Sequence, residues 1–164
     1  MKEKILHIYH FFLAFVGNII YGFPSRKIFV IGVTGTKGKS TVVKLIDVML
    51  EGAGKKTALI SSVELKIGKS VQPNPTENSM PGKFFISRFL RDAIRAGCEY
   101  AIIEVTSQGV VQNRHRFIDF DAALFLNIHP EHIESHGSFE HYRDAKVKFF
   151  SDVARTSKKP RKLF

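Results

Sequence analysis

One short stretch of the sequence, GVTGTKGKST at residues 32–41, combines glycines, lysines and hydroxyl side chains in a way that suits phosphate binding. Gly35 and Gly38 would let backbone N–H groups approach phosphate oxygens closely. Lys39 is spaced to reach the β- and γ-phosphates of a nucleotide, and Ser40 offers a hydroxyl of the kind that binds Mg²⁺. The first glycine lies one residue too early for the strict G-x-x-x-x-G-K-[ST] form, so the alternative is a glycine-rich turn with incidental lysines. We predict a phosphate-binding loop, because an apolar strand pattern precedes it and a helical pattern follows it.

Strand and helix patterns alternate along the part of the chain that contains this loop. Continuous apolar runs rich in β-branched residues predict strands buried on both faces, at residues 27–33, 56–62, 99–105 and 121–128. Helical periodicity predicts helices at residues 40–54, 83–97 and 138–155. Alternation around Gly68 predicts a small hairpin at residues 63–72. The sequence therefore predicts an α/β fold built from right-handed βαβ units on a parallel sheet.

Polar side chains follow three of these strands at the point where each strand ends. They are Thr34 with the glycine loop, then Glu104, Thr106 and Ser107, and then Asn127, His129 and His132. The carboxyl ends of parallel strands meet at one edge of a sheet, which is where such sheets bind their ligands. We therefore expect one polar site, with groups able to bind a metal, at this edge.

The composition is that of a folded chain with a basic surface. Of the 164 residues, 44% are hydrophobic, and 25 lysines and arginines against 15 acids give a net charge of +10. Such an excess suits nucleic acid, a membrane surface or an anionic small molecule. The basic cluster at residues 155–162 has no interleaved aromatic side chains, so we interpret it as a solvated chain end and expect no nucleic-acid partner. The only cysteine, Cys98, excludes an internal disulfide and fits a reducing, cytoplasmic compartment.

The N-terminal segment at residues 5–23 is strongly apolar. Three interpretations are open, and we rank them in this order: a helix packed on the domain, an interfacial membrane helix, and a membrane anchor. A spanning helix needs about 20 apolar residues with few polar breaks, whereas His7, His10 and Asn18 interrupt this segment. We predict a helix that lies against a membrane at most weakly and does not form a stable span.

Four segments of the chain together resemble the Mur ligase family. The loop at residues 32–41 resembles the pattern G-x-T-G-T-N-G-K-[ST]-[ST], and NSMPG at residues 78–82 resembles N-T-T-P-G. EVTSQGVVQNR at residues 104–114 resembles E-V-S-S-H-x-L-x-Q-x-R. NIHPEHIESHGSFEHYRDAK at residues 127–146 resembles N-L-x-x-D-H-L-D-Y-H-G-x-M-E-x-Y-x-x-A-K. The matches follow the family's order and cover about residues 27–150.

This resemblance implies ATP and Mg²⁺ as cofactors and a role for each matching position. Contacts to ATP are implied for the loop residues Thr34, Gly35, Thr36, Lys37, Gly38, Lys39, Ser40 and Thr41. One Mg²⁺ would be held by Ser40 and Glu104, and a second by His132 and a carbamylated Lys146. Contacts to the second substrate are implied for Ser79, Met80, Pro81, Gly82, Thr106, Ser107 and Arg114. The catalytic set would be Lys39, Glu104, His132 and Lys146. Each of these alone is an ordinary capping or surface residue, and only their joint order beside a phosphate loop favours a site.

The resemblance also implies an activity, the ATP-dependent joining of an amino acid to UDP-N-acetylmuramoyl-peptide in peptidoglycan precursor synthesis. The segments most resemble the branch that adds the third amino acid. Two alternatives stay open: a non-catalytic nucleotide-binding module, and a ligase of the same superfamily that adds glutamate to folate. Departures from the family pattern include four positions at or near the implied site, where the pattern has Asn at Lys37, Thr at Met80, His at Gln108 and Asp at Glu131.

The implied organisation is an N-terminal apolar helix at residues 1–24, followed by a partial Mur ligase central, ATP-binding domain at residues 25–164. The family's N-terminal substrate domain and C-terminal amino-acid domain have no counterpart in these segments. We therefore expect a fragment of a longer ligase or a truncated reading frame.

Overall fold

The computed structural model describes residues 2–76, 78–82, 84–131, 137–155 and 162–163. Its helices are α1 (Lys2–Ile20), α2 (Lys39–Gly52), α3 (Phe85–Arg95), α4 (Ser107–Val111) and α5 (Phe139–Arg155). Its strands are β1 (Phe29–Thr34), β2 (Thr57–Ile60), β3 (Glu64–Ile67), β4 (Ser70–Pro73), β5 (Tyr100–Glu104), β6 (Ala122–Phe125) and β7 (Lys162–Leu163).

Within the described residues, the strands form one sheet in the order β4-β3-β2-β5-β1-β6-β7. The strands from β2 to β7 in this order run parallel, and the β3–β4 hairpin extends the sheet from β2 in the antiparallel sense. The α/β fold with a parallel sheet, predicted from the sequence, is confirmed. Two elements were not predicted: the short helix α4, and strand β7, which pairs with β6.

Strand β1 lies at the centre of the parallel part of the sheet and fixes where the strand ends meet. Val33 of β1 pairs with Glu104 of β5, and Thr34 pairs with Phe125 of β6. The segments that leave all three strands therefore start side by side at one edge. This register brings together residues that lie far apart in the sequence.

Side chains of the central strands alternate between two cores, as expected for a sheet covered by helices on both faces. On one face, the strand residues pack with α3 and α5; this core includes Val30, Ala58, Ile60, Ala101, Ile103, Phe89, Leu90, Phe149 and Val153. On the other face they pack with α2; this core includes Ile31, Val33, Leu59, Ile102 and Val43. The sheet is thus held rigidly on both sides below the edge where β1 and β5 end.

Gly32, in the middle of β1, makes room for an aromatic pair. The rings of Phe120 and Phe149 meet edge to face with centroids 5.1 Å apart. A Cβ placed on Gly32 would lie 2.7 Å from Phe149 Cζ and 2.9 Å from two ring atoms of Phe120. Strand β1 therefore approaches α5 closely only because this position has no side chain.

Helix α1 ends in a turn that combines Gly22 at φ +68° with Phe23 at φ +50°, and Pro24 then begins a short 3₁₀ turn. Proline cannot continue the hydrogen-bonding pattern of the preceding helix, so the chain turns away towards β1. Among the helices that the structure describes, none has the length and apolar character needed to cross a membrane.

A buried histidine lies where the segment after α4 meets α5. His115 is 3% exposed, and its Nε2 lies 2.8 Å from the carboxylate of Asp152. Burial is the main cause that lowers the pKa of His115 to about 4, although the hydrogen bond to Asp152 acts in the opposite direction. Asp152 also accepts a hydrogen bond of 2.7 Å from Lys148. His115 is therefore a neutral core residue at physiological pH.

A buried ion pair connects α2 to the β3–β4 hairpin. Lys66 Nζ lies 2.7 Å from both carboxylate oxygens of Asp47, and these side chains are 4% and 0% exposed. Thr57 donates a 2.6 Å hydrogen bond to the same carboxylate. Every polar group of this cluster thus has a partner of opposite character, as a buried charge requires.

Candidate functional site

The predicted phosphate loop leaves β1 and leads directly into the N-terminus of α2. Gly38 precedes the helix at φ +80°, a conformation that glycine adopts without the steric penalty of a side chain. A Cβ on Gly35 would lie only 3.0 Å from Leu126 Cβ, so the loop packs tightly against the segment that leaves β6. The first backbone N–H groups of α2 have no partners within the helix, and this end is suited to binding an anion.

Asn127 holds the loop in shape from the neighbouring strand end. Its side-chain oxygen accepts hydrogen bonds from the backbone N–H of Thr36 at 2.9 Å and of Lys37 at 3.1 Å. Its side-chain nitrogen donates to the carbonyl of Lys37 at 3.1 Å. The sequence placed Asn127 at the sheet edge but did not indicate this role, because the bonded residues are about 90 positions apart.

The two lysines of the loop lie in different environments. Lys39 is half-buried, and its Nζ donates a 3.0 Å hydrogen bond to the carbonyl of Thr36, so the ammonium group lies back along the loop. Lys37 is exposed and pairs with Glu131 at 2.7 Å. The hydrogen bond to Glu131 raises the pKa of Lys37. Of the two, Lys39 has the position expected of the cation that binds phosphate.

Ser40 and Glu104, the two predicted ligands of one Mg²⁺, are in direct contact. The Ser40 hydroxyl donates a 2.8 Å hydrogen bond to Oε2 of Glu104, which is 3% exposed. Ser62, which sequence reasoning missed, donates its backbone N–H to the same oxygen at 3.0 Å and lies 3.1 Å from the Ser40 hydroxyl. The cluster is a carboxylate with two hydroxyls, and hard oxygen donors of this type suit Mg²⁺.

Lys146, on α5, reaches the phosphate loop from the opposite side. The residue is 2% exposed, and its Nζ donates a 2.9 Å hydrogen bond to the carbonyl of Gly35. The same nitrogen lies 4.7 Å from the ring centroid of Tyr142. Burial, together with the charge of Lys39, lowers the pKa of Lys146 to about 8. A lysine in this position has a much larger neutral, nucleophilic fraction than a surface lysine.

Thr36 connects three parts of the site through its hydroxyl. This oxygen lies 2.8 Å from the hydroxyl of Tyr142 and accepts a 3.0 Å hydrogen bond from the backbone N–H of His129. Thr36 and Thr34 are 5% and 1% exposed, so their side chains support the loop from below. The predicted contact of Thr34 and Thr36 with ATP stays a prediction and would use their backbone atoms, whereas the Thr41 side chain is exposed.

The predicted substrate segment includes one residue that the structure places differently from the prediction. The Met80 side chain is fully buried and packs against Gly109 of α4, so it supports the segment from inside and does not line a surface. Ser79 is also buried, at 2% exposure. The sequence already contained an indication that Met80 is buried, because an apolar methionine stands where the family pattern has a polar threonine.

Arg114 likewise has a supporting position. Its guanidinium donates a hydrogen bond to the carbonyl of Met80, and its Nε lies beside Gly82. Burial lowers the pKa of Arg114. The contact that the structure shows for Arg114 is with the backbone of Met80, and it holds residues 79–82 against the segment after α4. The contact of Arg114 with substrate stays a prediction.

Thr106 and Ser107 lie at the start of α4. The Thr106 hydroxyl caps this helix by accepting a 3.1 Å hydrogen bond from the N–H of Gly109, and Ser107 is 7% exposed. A cleft then opens between the phosphate loop, the end of β5 and the Ser79 segment; it is lined by Gly35, Lys39, Ser62, Ser79, Glu104, Thr106 and Gln108, among others. The residues lining this cavity include six of the predicted site residues: Gly35, Lys39, Ser79, Glu104, Thr106 and Ser107.

The second predicted metal site is described only in part. His132 lies outside the described residues, so of this set the structure places only Lys146. Among the residues that the structure does describe, no group of three or more histidine, cysteine, aspartate or glutamate side chains could hold a metal ion. The Ser40–Glu104 pair therefore has fewer protein ligands than a closed metal site, as is usual for Mg²⁺ bound with a nucleotide.

A parallel α/β sheet with a glycine-rich loop between its central strand and a helix is an architecture typical of nucleotide-binding domains. The family model described as the Mur ligase middle domain matches residues 33–158. The chain therefore belongs to the Mur ligase family.

Individual relatives agree with this assignment. The chain is 41% identical over 140 residues to a UDP-N-acetylmuramyl-tripeptide synthetase of Treponema pallidum (strain Nichols), covering 84% of this chain and 26% of the relative. The chain thus spans about a quarter of the length of that relative. Among solved structures, a UDP-N-acetylmuramoyl-L-alanyl-D-glutamate–2,6-diaminopimelate ligase matches with a TM-score of 0.69 at 23% identity, over 83% of this chain and 31% of that one. A Mycobacterium tuberculosis folylpolyglutamate synthase matches with a TM-score of 0.64 at 16% identity, over 84% and 38%. The two structural matches show a shared fold.

Proposed function

We propose that this chain is the nucleotide-binding part of an ATP-dependent acid–amino-acid ligase that extends UDP-N-acetylmuramoyl-peptide. One observation carries the proposal. The Ser40–Glu104 pair, the Lys39 ammonium and the buried Lys146 amine all converge on one phosphate loop. A non-catalytic nucleotide-binding module needs the loop but has no use for a buried lysine directed at it from another helix.

The chemistry of amide formation explains why these groups are needed together. A carboxylate does not react with an amine until its oxygen is converted into a leaving group. Transfer of the γ-phosphoryl group of ATP to the substrate carboxylate gives an acyl phosphate and ADP. The amino group of the incoming amino acid then attacks the acyl carbon, and inorganic phosphate leaves. Moving a phosphoryl group between two anions requires positive charge around it, since otherwise the anions repel.

In this proposal, each residue has a defined task. Lys39 leaves the carbonyl of Thr36 and binds the β- and γ-phosphates. Ser40 and Glu104 hold Mg²⁺, which neutralises the phosphate charge when it is bound. Lys146, once carbamylated, offers a long carboxylate for a second Mg²⁺ together with His132. The low pKa of Lys146 supports this step, because carbon dioxide reacts only with the neutral amine.

The class of acid substrate is proposed from the relatives. Those that are 34–41% identical are named UDP-N-acetylmuramyl-tripeptide synthetases or diaminopimelate ligases, which supports a UDP-linked muramoyl peptide as the acid. The folylpolyglutamate synthase match, at 16% identity, extends to the fold alone. We therefore propose the cell-wall substrate and keep a folate-type substrate as the competing hypothesis.

Titration with a fluorescent ATP analogue, with and without Mg²⁺, tests the first part of the proposal. We expect saturable binding that Mg²⁺ strengthens. The titration is then repeated with UDP-N-acetylmuramoyl-dipeptide and, separately, with a folate monoglutamate. Tighter nucleotide binding with the UDP-linked acid alone is the expected result. A response to folate alone would favour the competing ligase, a response to neither acid would favour a non-catalytic module, and an absence of nucleotide binding would exclude all three.

A further inference from the structure

Helix α1 is docked on the domain through one defined face. Gly17 is buried, and a Cβ there would lie 2.5 Å from a ring atom of Phe84, so the helix approaches that ring as closely as sterics permit. Phe11 and Phe15 contact the ring of Phe117, with centroids 5.0 Å and 5.3 Å away, although they keep 37% and 39% of their surface exposed at the border of this face. This face holds α1 in a fixed orientation.

The two rings that receive α1 come from strained backbone positions. Phe84 and Phe117 lie at φ +59° and +63°, in the left-handed region that bulky residues rarely adopt. Such conformations persist only where surrounding contacts determine them. Both of these residues have rings that contact α1, so contacts with this helix are among those that surround the two positions.

The opposite side of α1 is an apolar stripe exposed to solvent, which we define as Tyr9, Phe12, Val16, Ile19 and Ile20. Their exposed fractions are 51%, 59%, 39%, 52% and 59%. The spacing of three, four and three residues from Tyr9 to Ile19 places them along one line of the helix. A contiguous exposed row of large apolar side chains marks an interaction surface, whereas isolated ones are ordinary.

Basic residues lie at both ends of this stripe. Lys2 and Lys4, with Glu3 between them, precede it in the sequence. The exposed Lys27, and Arg26, which pairs with Asp119, follow the end of the helix. The chain as a whole carries a net charge of +10. A partner that covers the stripe must therefore accept apolar side chains and positive charge together.

We propose that α1 binds to the surface of an anionic lipid bilayer, with the stripe inserted at the level of the head groups and the helix parallel to the membrane. Apolar burial and attraction of basic residues to anionic lipid together favour this position. A second copy of the chain is a poorer partner, because pairing two stripes would bring positive flanks together and like charges repel. This inference is independent of the proposed ligase function, since the stripe contributes no residue to the cleft.

Vesicle flotation tests the proposal with the chain as it exists. The probes are vesicles of phosphatidylcholine alone and vesicles that also contain phosphatidylglycerol. We expect the protein to float with the anionic vesicles, to float much less with the neutral ones, and to be released by carbonate. The double variant Phe12→Ser with Ile19→Ser should lower the affinity for the anionic vesicles by a factor of at least about ten. Burial of a single large apolar side chain already changes a binding equilibrium by about that factor.

Leu45→Ser with Val48→Ser is the matched control, because these α2 residues are 55% and 54% exposed and lie outside the stripe. The control should float like the wild type, and both double variants should keep the wild-type thermal unfolding midpoint and affinity for the ATP analogue. Four results would each overturn the proposal: equal flotation of the stripe variant and the wild type, equal binding to neutral vesicles, flotation that resists carbonate, or a lipid-free dimer that the stripe variant dissociates.

Discussion

The Ser40 hydroxyl donates a 2.8 Å hydrogen bond to the Glu104 carboxylate, joining the first turn of α2 to the end of β5. The parallel register that pairs Val33 with Glu104 makes this contact possible. Ser40 is fixed by the start of α2, and Glu104 by the sheet. The two oxygen donors are therefore already held in place, so that a cation binding between them, as proposed, would cost little conformational entropy.

Replacing Glu104 with glutamine should remove the effect of Mg²⁺ on nucleotide binding. The amide keeps the size of the side chain but loses the negative charge that a hard cation requires. We expect Mg²⁺ to strengthen binding of the fluorescent ATP analogue about tenfold less in Glu104→Gln than in the wild type, with metal-free binding retained. Glu99→Gln, which changes an exposed carboxylate paired with Lys55, is the control. An undiminished Mg²⁺ effect in Glu104→Gln would show that the metal binds elsewhere.

Lys39→Ala should weaken ATP binding by about tenfold to a hundredfold, the range expected for the loss of a charge-assisted hydrogen bond. The measurement is titration with the ATP analogue in the presence of Mg²⁺. Lys55→Ala removes an exposed lysine that pairs with Glu99 at the surface and should leave the affinity unchanged. Equal affinities of Lys39→Ala and wild type would refute the assignment of the phosphate loop.

Lys146 should form a carbamate in the presence of bicarbonate. With a pKa of about 8, about a tenth of its amine is neutral at pH 7, whereas an ordinary lysine is almost fully protonated. Carbamate formation at Lys146 should therefore rise as the pH increases towards 8. The check is ¹³C NMR with labelled bicarbonate, in which the wild type should show one carbamate signal beyond those of surface amines.

Lys148→Ala is the matched control for this experiment, because Lys148 lies on the same helix and is 40% exposed. The additional signal should persist in Lys148→Ala and be absent from Lys146→Ala. A signal that persists in Lys146→Ala would assign the carbamate to another lysine and remove this role from Lys146.

The buried His115 should make the folded state sensitive to acid. Its pKa is about 4 when folded, against an ordinary value of 6.5, so between these values the unfolded chain binds a proton that the folded chain does not. The free energy of unfolding should fall as the pH drops from 6.5 towards 4, by about 3 kcal/mol in total from this group. Urea unfolding at pH 7 and pH 5 measures the change.

His115→Gln should reduce this pH dependence, although it also lowers stability at pH 7. His141→Gln, at an exposed position of α5, is the control and should keep the wild-type slope. A wild-type slope in His115→Gln would assign the acid sensitivity to other groups.

Gly32→Ala should destabilise the fold by about 1–3 kcal/mol, as overpacking of a core typically does. The new methyl group would press on Phe120 and Phe149, whose edge-to-face contact leaves little room to move. Gly52→Ala is a suitable control, because a Cβ there meets nothing within 4 Å and alanine favours a helix. The thermal unfolding midpoint should be lower than that of the wild type in Gly32→Ala but not in Gly52→Ala. Equal midpoints of Gly32→Ala and the wild type would show that the core adapts to the added methyl group.

The arrangement of strands could be predicted from the sequence because each buried strand is a continuous apolar run bounded by turn residues. The residues at which the strands end were less predictable. The fourth predicted strand was expected to reach residue 128, but β6 ends at Phe125 because Asn127 turns its side chain and carbonyl towards the phosphate loop. Helix α4 was missed since five residues that include Gly109 show no helical periodicity.

The site could be predicted as a set of residue types at one sheet edge, but not as a set of contacts. Family resemblance named Glu104 and Lys146, yet it did not indicate that Ser62 binds Glu104 or that Lys146 reaches the carbonyl of Gly35. These pairs are 42 and 111 positions apart, and only the folded register brings them together. Met80 shows the opposite case, in which a position that aligns with a substrate contact is packed inside the domain.

The Lys66–Asp47 ion pair has a consequence for how the edge of the sheet opens. Strand β4 is exposed along its whole length and would be expected to fray. Pulling the hairpin away, however, would take the Lys66 ammonium from the fully buried Asp47 carboxylate and leave it only Lys44, 3.8 Å away and half-exposed. Removing one partner of a buried ion pair costs up to about 3–5 kcal/mol. Two further ion pairs connect α2 to the hairpin. Glu51 of α2 pairs with Lys66, and Lys44 of α2 pairs with Glu64, each at 2.8 Å. We therefore expect the hairpin and α2 to unfold as one cooperative unit, with amide protons at this edge exchanging with solvent no faster than those of α2.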